Sequence, residues 1–244
     1  MRHGGCMTPG AMAAMQQPGH GGAGNRLLDA LPASIRARLL EGGEVESCNY
    51  LEQLYGPSDA MESFYFPTSC VCSLVADLAS GQRAEVAIVG SEGFVGIPAL
   101  FGVAPREAAL IQVPGEYYRV KASRVVALMQ REEKLSAVLL RHAGCMYNMA
   151  KQTALCNAYH SVEQRVARWL LTMADRARAD ELPLTQEMLA AMVSATRPRT
   201  AEAAGRLRTA GIIATRRGAI ALRDRARLER RACECYEATR LARD

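Results

Sequence analysis

Leu184–Leu207, LTQEMLAAMVSATRPRTAEAAGRL, decides the reading of this chain. Two short helical patterns meet at Ser194–Arg197. Leu184, Met188, Leu189 and Met192 recur at helical spacing and form one apolar stripe. Thr185 is placed to cap that first helix. Pro198 opens a second helix at a position where its missing N–H costs nothing. Ala201, Ala204 and Leu207 give the second helix an inner face, while Arg199, Glu202 and Arg206 share its outer face. The pattern predicts a helix-turn-helix. A helix that presents arginines outward in this way fits the major groove of B-DNA, where Arg holds guanine O6 and N7 with two bonds.

The next residues extend the pattern. Gly211 stops the second helix. Ile212-Ile213 and Ile220-Ala221-Leu222 are short apolar runs on either side of Arg216-Arg217-Gly218. This predicts a hairpin with two arginines at its tip, a wing beside the recognition helix. Arg197 and Arg199 are expected to contact bases or phosphates, and Arg216 and Arg217 phosphates. Thr196 is placed either to bind phosphate or to cap the helix. Glu202 is placed to accept from cytosine N4 or to pair with Arg206 four residues on, and the helix pair is the preferred reading. Arg165 and Arg168 are expected to decorate the outside of an earlier helix, with Arg168 within reach of the DNA backbone.

Charge follows the same division. The chain has 244 residues and a net charge of +5. From Val162 onward there are 17 Arg, no Lys and 11 acidic residues, so the entire positive excess lies with the helix-turn-helix. That asymmetry is the electrostatic footprint of nucleic-acid binding. No apolar run approaches the length of a membrane span. No signal-peptide core follows the amino terminus, so the eight cysteines, at 6, 48, 70, 72, 145, 156, 233 and 235, are expected to be reduced thiols in a cytoplasm.

Residues 1–25, rich in Gly, Met, Pro and Ala, are expected to form a disordered tail. A helical stripe of Leu27, Leu28, Leu31, Ile35 and Leu39 follows, broken at Pro32. From Glu44 to Val120, short runs bounded by Gly, Pro, Ser and Asp predict an antiparallel β barrel or roll. Helices are expected at Ser123–Gln130, at about Leu135–Tyr159 and at Val162–Arg176. In the long one, Leu135, Val138, Leu139, His142, Met146, Met149 and Cys156 form a heptad-like stripe. It reads as a dimer interface, with packing on the helix's own β-domain as the alternative. Trp169 is expected to anchor the carboxy-terminal core. The resulting class is α+β: a tail (1–25), a β-roll domain (26–133), a dimerisation helix (134–161) and a winged helix-turn-helix domain (162–244).

This order of parts, with GSEGFVGIPALFG at 90–102, QTALCN and HSVEQRVARWLL within 152–171, and LTQEMLAAMV and RP within 184–198, resembles the Crp/Fnr family of bacterial transcription regulators. The resemblance implies a cyclic-nucleotide-binding-like β-roll that senses an effector and biases a DNA-binding dimer on a palindromic site. It also implies RNA polymerase as a further partner. It places the effector pocket at Gly96, Ile97, Arg106 and Glu107. Family members that bind cyclic AMP carry Glu where this chain has Ile97. An Arg stands in the family where this chain has Glu107, with Arg106 one place early. A carboxylate facing a cyclic phosphate repels it, so the effector is expected to be something other than cyclic AMP. The turn position usually held by Gly is Ser194, and the usual branched apolar residue of the recognition helix is Thr200. These two departures favour an alternative, a ligand-binding signalling module whose sequence-specific DNA binding has weakened.

An iron–sulfur cluster needs about four thiolates, and the amino-terminal region holds only Cys6. Cys70 with Cys72, or Cys233 with Cys235, form possible redox or metal pairs, but no metal site and no cofactor is expected. His142 and His160 are too far apart to share an ion within one chain. No nucleophile motif or phosphate loop is present, so no enzyme is expected; Gly90–Gly96 reads as a turn among strands.

Overall fold

The computed structural model describes residues 23–241. Helices α1 (Arg26–Asp29) and α2 (Ala33–Leu40) flank the expected break at Pro32. Most of the expected tail lies outside the described residues. At its end, however, Asn25 is fully buried: its amide donates to the carbonyls of Pro67 and Gly93 at 2.8 Å each, and its Oδ1 caps α1.

Seven strands then form the β-roll: β1 (Glu44–Cys48), β2 (Gln53–Tyr55), β3 (Ser63–Pro67), β4 (Val71–Asp77), β5 (Arg83–Val89), β6 (Ala108–Val113) and β7 (Gly115–Lys121). A short helix, α3 (Ile97–Leu100), interrupts them between β5 and β6. They pair antiparallel in two sheets, ordered β1-β7-β3 and β2-β6-β4-β5. β7 mixes buried positions, Tyr117 and Val120, with exposed ones. β6 is buried along its whole length and β4 along most of it. The reason is that this second sheet is covered on its outer side as well, by the carboxy-terminal part of the chain.

That part begins with α4 (Ala122–Met129) and the long α5 (Glu133–Tyr159). Then come α6 (Val162–Ala177), β8 (Glu181–Pro183), α7 (Gln186–Met192), α8 (Arg197–Thr209), β9 (Ile213–Arg216), β10 (Ala219–Leu222), α9 (Arg225–Arg231) and α10 (Cys235–Leu241). The last three strands form one small sheet, ordered β8-β10-β9. Ser161 and Gln164 close a reciprocal capping box at the start of α6, which fixes where the long helix ends and the next begins.

The stripe expected to meet a second protomer lies elsewhere. Leu135, Leu139, His142, Met146, Met149 and Cys156 are buried within their own protomer, and Val138 is half-buried beside them. An amphipathic helix buries its apolar stripe against whatever lies nearest, and here that is the chain's own β-roll and carboxy-terminal helices. The exposed side of α5 carries a different apolar set: Leu140 (50 % exposed), Tyr147 (66 %), Leu155 (53 %) and Tyr159 (81 %), with Gly144 also exposed.

Candidate nucleic-acid interface

The Thr185 hydroxyl accepts the Met188 N–H at 3.1 Å and starts α7. Leu184, Leu189 and Met192 are buried and Met188 is half-buried, as their spacing requires. The helix ends in a turn at Val193–Thr196. Ser194 there has φ 50°, the left-handed region, which costs a non-glycine residue roughly 1 kcal/mol. Three hydrogen bonds hold the turn in that conformation. The Arg165 guanidinium donates to the carbonyls of Val193 (2.9 Å) and Ser194 (3.2 Å), and the Asn157 amide donates to the Ser194 hydroxyl at 3.1 Å.

Arg165 and Arg168 are therefore not surface decoration; both are buried on α6. Burial draws the Arg165 guanidinium below its ordinary range. The signal was present in the spacing: Arg165 and Arg176 recur in the same stripe as Val162, Val166, Trp169 and Met173. Asn157 carried no comparable signal, because its partner lies 37 residues away.

Helix α8 buries Thr200, Ala203, Ala204 and Leu207; Ala201 is half-buried. Thr200 returns its hydroxyl to the Thr196 carbonyl at 3.1 Å, which satisfies a polar group in a position suited to an apolar one. Thr196 occupies the N-cap position, but its side chain makes no capping bond. Arg197 and Arg199 are exposed and have no ion-pair or hydrogen-bond partner among the described residues. Glu202 pairs with Arg206 at 2.7 Å, as expected, and Arg206 also meets Glu163 at 2.6 Å. β9 and β10 form the hairpin, with Gly218 at φ 75° in its turn. Arg216 and Arg217 are exposed at its tip, and Arg216 approaches Glu181 only at 4.0 Å. The arrangement is a helix N-terminus bearing free guanidinium groups, with a basic hairpin beside it.

Residues 164–231 match the Crp-like helix-turn-helix domain. The whole fold is similar to FixK2 from Bradyrhizobium japonicum (22 % identity, TM-score 0.68, covering 78 % of this chain and 98 % of that one). It is also similar to a CRP-family transcriptional regulator from Thermus thermophilus (20 %, 0.67, 77 % and 96 %). The c-di-GMP responsive global regulator CLP of Xanthomonas campestris is a further likeness (17 %, 0.66, 78 % and 99 %). The chain has the fold of the Crp/Fnr-type regulators, with a Crp-like helix-turn-helix domain. Comparison with curated protein sequences finds no match.

In this Crp/Fnr-type fold the winged domain docks on the β-roll through buried polar groups. The Trp169 indole donates to Glu85 of β5 at 2.9 Å, and the Ser73 hydroxyl donates to the same carboxylate at 2.5 Å. Trp169 thus joins the two domains and is more than an anchor for one. Burial pushes the Glu85 carboxyl up to about 7, against the pull of Ser73, Arg168, Trp169 and Arg176. Arg176 and Glu92 form a buried ion pair at 2.7 Å.

Glu92 belongs to the GSEGFVG stretch, whose glycines serve packing. A Cβ on Gly93 would lie 2.0 Å from the His142 ring of α5, and Gly96 has φ 123°. Ile97 opens α3 and is half-buried. Glu107 accepts from the Tyr55 hydroxyl at 3.2 Å and from the Arg106 N–H at 3.1 Å, while Arg106 is exposed. These four expected pocket residues line neither of two clefts in the roll. One, about 350 Å³, opens beside Tyr55, Met61, Ser63, Tyr65 and Arg119. The other, about 650 Å³, lies among Arg38, Lys121, Arg124 and Arg131.

Proposed function

We propose that this protein is a cytoplasmic transcription regulator that binds double-stranded DNA as a homodimer. The observation that carries the reading is the unpaired, exposed Arg197 and Arg199 at the start of a helix that buried bonds hold rigidly, beside a basic wing. α8 enters the major groove, Arg197 and Arg199 reach base edges or phosphate, and Arg216, Arg217 and Thr196 grip phosphate. Arg206 and Glu202 form the flanking face of α8 and steady it through each other. The dimer forms along the exposed stripe of α5 at Leu140, Gly144, Tyr147 and Leu155, and sets the two recognition helices roughly 34 Å apart on a palindrome.

The β-roll holds an effector other than cyclic AMP, because Ile97 and Glu107 stand where the resemblance would place a ribose acceptor and a phosphate-neutralising guanidinium. The protein acts by binding, with RNA polymerase as its downstream partner and without a catalytic step. The bonds from Asn157 and Arg165 offset the strain at Ser194, which favours a working reader over a decayed one. Selection of bound duplexes from a random pool tests this, with the Arg197→Ala, Arg199→Ala double variant as the comparison. A two-half-site palindrome enriched by the parent and lost in the variant is the expected result. Equal recovery of all sequences by both proteins would overturn it.

A further inference from the structure

Cys156 and His160 stand one helical turn apart at the carboxy end of α5, so their side chains share a face. Cys233 lies on the short connection that leads from α9 into α10, and Cys235 is the first residue of α10. The fold brings all four to one point. Their sulfur and ring-nitrogen atoms all lie within 4.8 Å of one another, a convergence that sequence separations of 73 or more residues do not reveal. The three cysteines are buried and form a small cluster of their own, apart from the two main cores. We propose that Cys156, His160, Cys233 and Cys235 bind one zinc ion in a tetrahedral Cys3His site that fastens α10 to the end of the long helix.

The spacings fit the ion. With Zn–S near 2.3 Å and Zn–N near 2.0–2.1 Å, a tetrahedral site has S···S edges of about 3.8 Å and S···N edges of about 3.5 Å. Cys156 Sγ and Cys233 Sγ are 3.6 Å apart, and Cys235 Sγ and His160 Nδ1 are 3.5 Å apart. The surrounding groups are those that orient metal ligands. Glu234 Oε1 lies 3.2 Å from His160 Nε2, which leaves Nδ1 to face the sulfurs. The Gln152 amide donates to Cys235 Sγ at 2.9 Å, a bond that stabilises a thiolate.

Charge points the same way. A zinc ion with three thiolates carries a net charge of −1. Arg168 is buried nearby, its Nε has no hydrogen-bond partner among the described residues, and its charge acts on Cys156. Zinc binding displaces the thiol protons, and the site then needs a buried cation of this kind. The other thiol cluster differs. Cys48, Cys70 and Cys72 are buried in the β-roll core, and neither a histidine nor a carboxylate completes a metal-binding group with them among the described residues. Zinc suits a mixed thiolate and imidazole tetrahedron better than harder divalent ions do.

The test uses the full chain, purified under reducing conditions. Elemental analysis is expected to find one zinc per chain. Chelator-stripped protein titrated with Co2+ is expected to show the visible bands of a tetrahedral thiolate site, reversed by one equivalent of Zn2+. Cys233→Ser with Cys235→Ser is expected to abolish both signals, and Cys145→Ser, on the same helix as Cys156, to leave them unchanged. His160→Cys keeps four ligands and is expected to retain the ion with a stronger thiolate charge-transfer band, which separates loss of a ligand from loss of folding. Full metal content in the double serine variant would overturn the proposal. So would iron in place of zinc, or reduced parent protein that takes up no Co2+ and forms a Cys156–Cys233 disulfide on oxidation.

Discussion

The carboxy-terminal region holds two populations of arginine that composition does not distinguish. On α6, Arg165, Arg168 and Arg176 are buried, and Arg165 and Arg176 bond to the turn carbonyls and to Glu92. On α8 and the wing, Arg197, Arg199 and Arg217 are exposed and unpartnered among the described residues. Arg165 holds the turn of the reading head in place and Arg176 ties α6 to Glu92, while the exposed set is free to meet a polyanion. The guanidinium groups of Arg165 and Arg176 have already exchanged water for protein acceptors, and a bound phosphate would have to compete with them. An exposed one keeps its donors for whatever approaches.

The largest effect is expected where a buried pair is broken. Arg176→Ala strands Glu92 at the domain junction, and a broken buried pair costs about 3–5 kcal/mol. Urea denaturation reads this directly, and a loss below about 1 kcal/mol would place Arg176 with the surface set.

Glu85 comes next. The folded state holds its carboxyl near 7, above the ordinary 4.5. Folded protein therefore keeps a proton that the unfolded chain releases, and stability falls as pH rises from about 4.5 to about 7. Glu85→Gln keeps acceptor and donor capacity without the charge. It is expected to flatten that slope and to raise stability at pH 8 by about 3 kcal/mol. An unchanged slope in the variant would show that Glu85 titrates as an exposed carboxylate does.

Substitutions in the exposed set are expected to leave denaturation curves alone. Arg199→Ala should weaken binding by about 1–3 kcal/mol and relax one base position; equal weakening on every sequence would reassign it to phosphate. The smallest change belongs to the wing. Arg216→Ala and Arg217→Ala should each lower the slope of log affinity against log salt by about 0.9, without changing sequence preference. A change in preference would make the wing a base reader.

The two regions also differ in how far they were legible. Thr185, Pro198 and Gly211 act locally, so the limits of α7 and α8 follow from neighbouring residues. The hairpin tip follows from Gly218 for the same reason. The α5 stripe was legible as a stripe, but its partner was not: Leu135, Leu139 and Met146 look alike facing a second protomer or the chain's own β-roll. Burial of Arg165 was visible in spacing and hidden by residue type. The meeting of Cys156 and His160 with Cys233 and Cys235 left no local trace.

The sequence by itself determined the order of parts, the helix-turn-helix with its wing, the outward face of α8 and the one-sided charge. Those depend on periodicity, caps and turns, which act over a few residues. Tertiary structure alone decided which apolar stripe of α5 stays open, which arginines are spent inside, how Glu85 and Trp169 join two domains, and which thiols converge. Each of these is a contact across tens of residues, and the energy of such a contact depends on what the fold places on its far side.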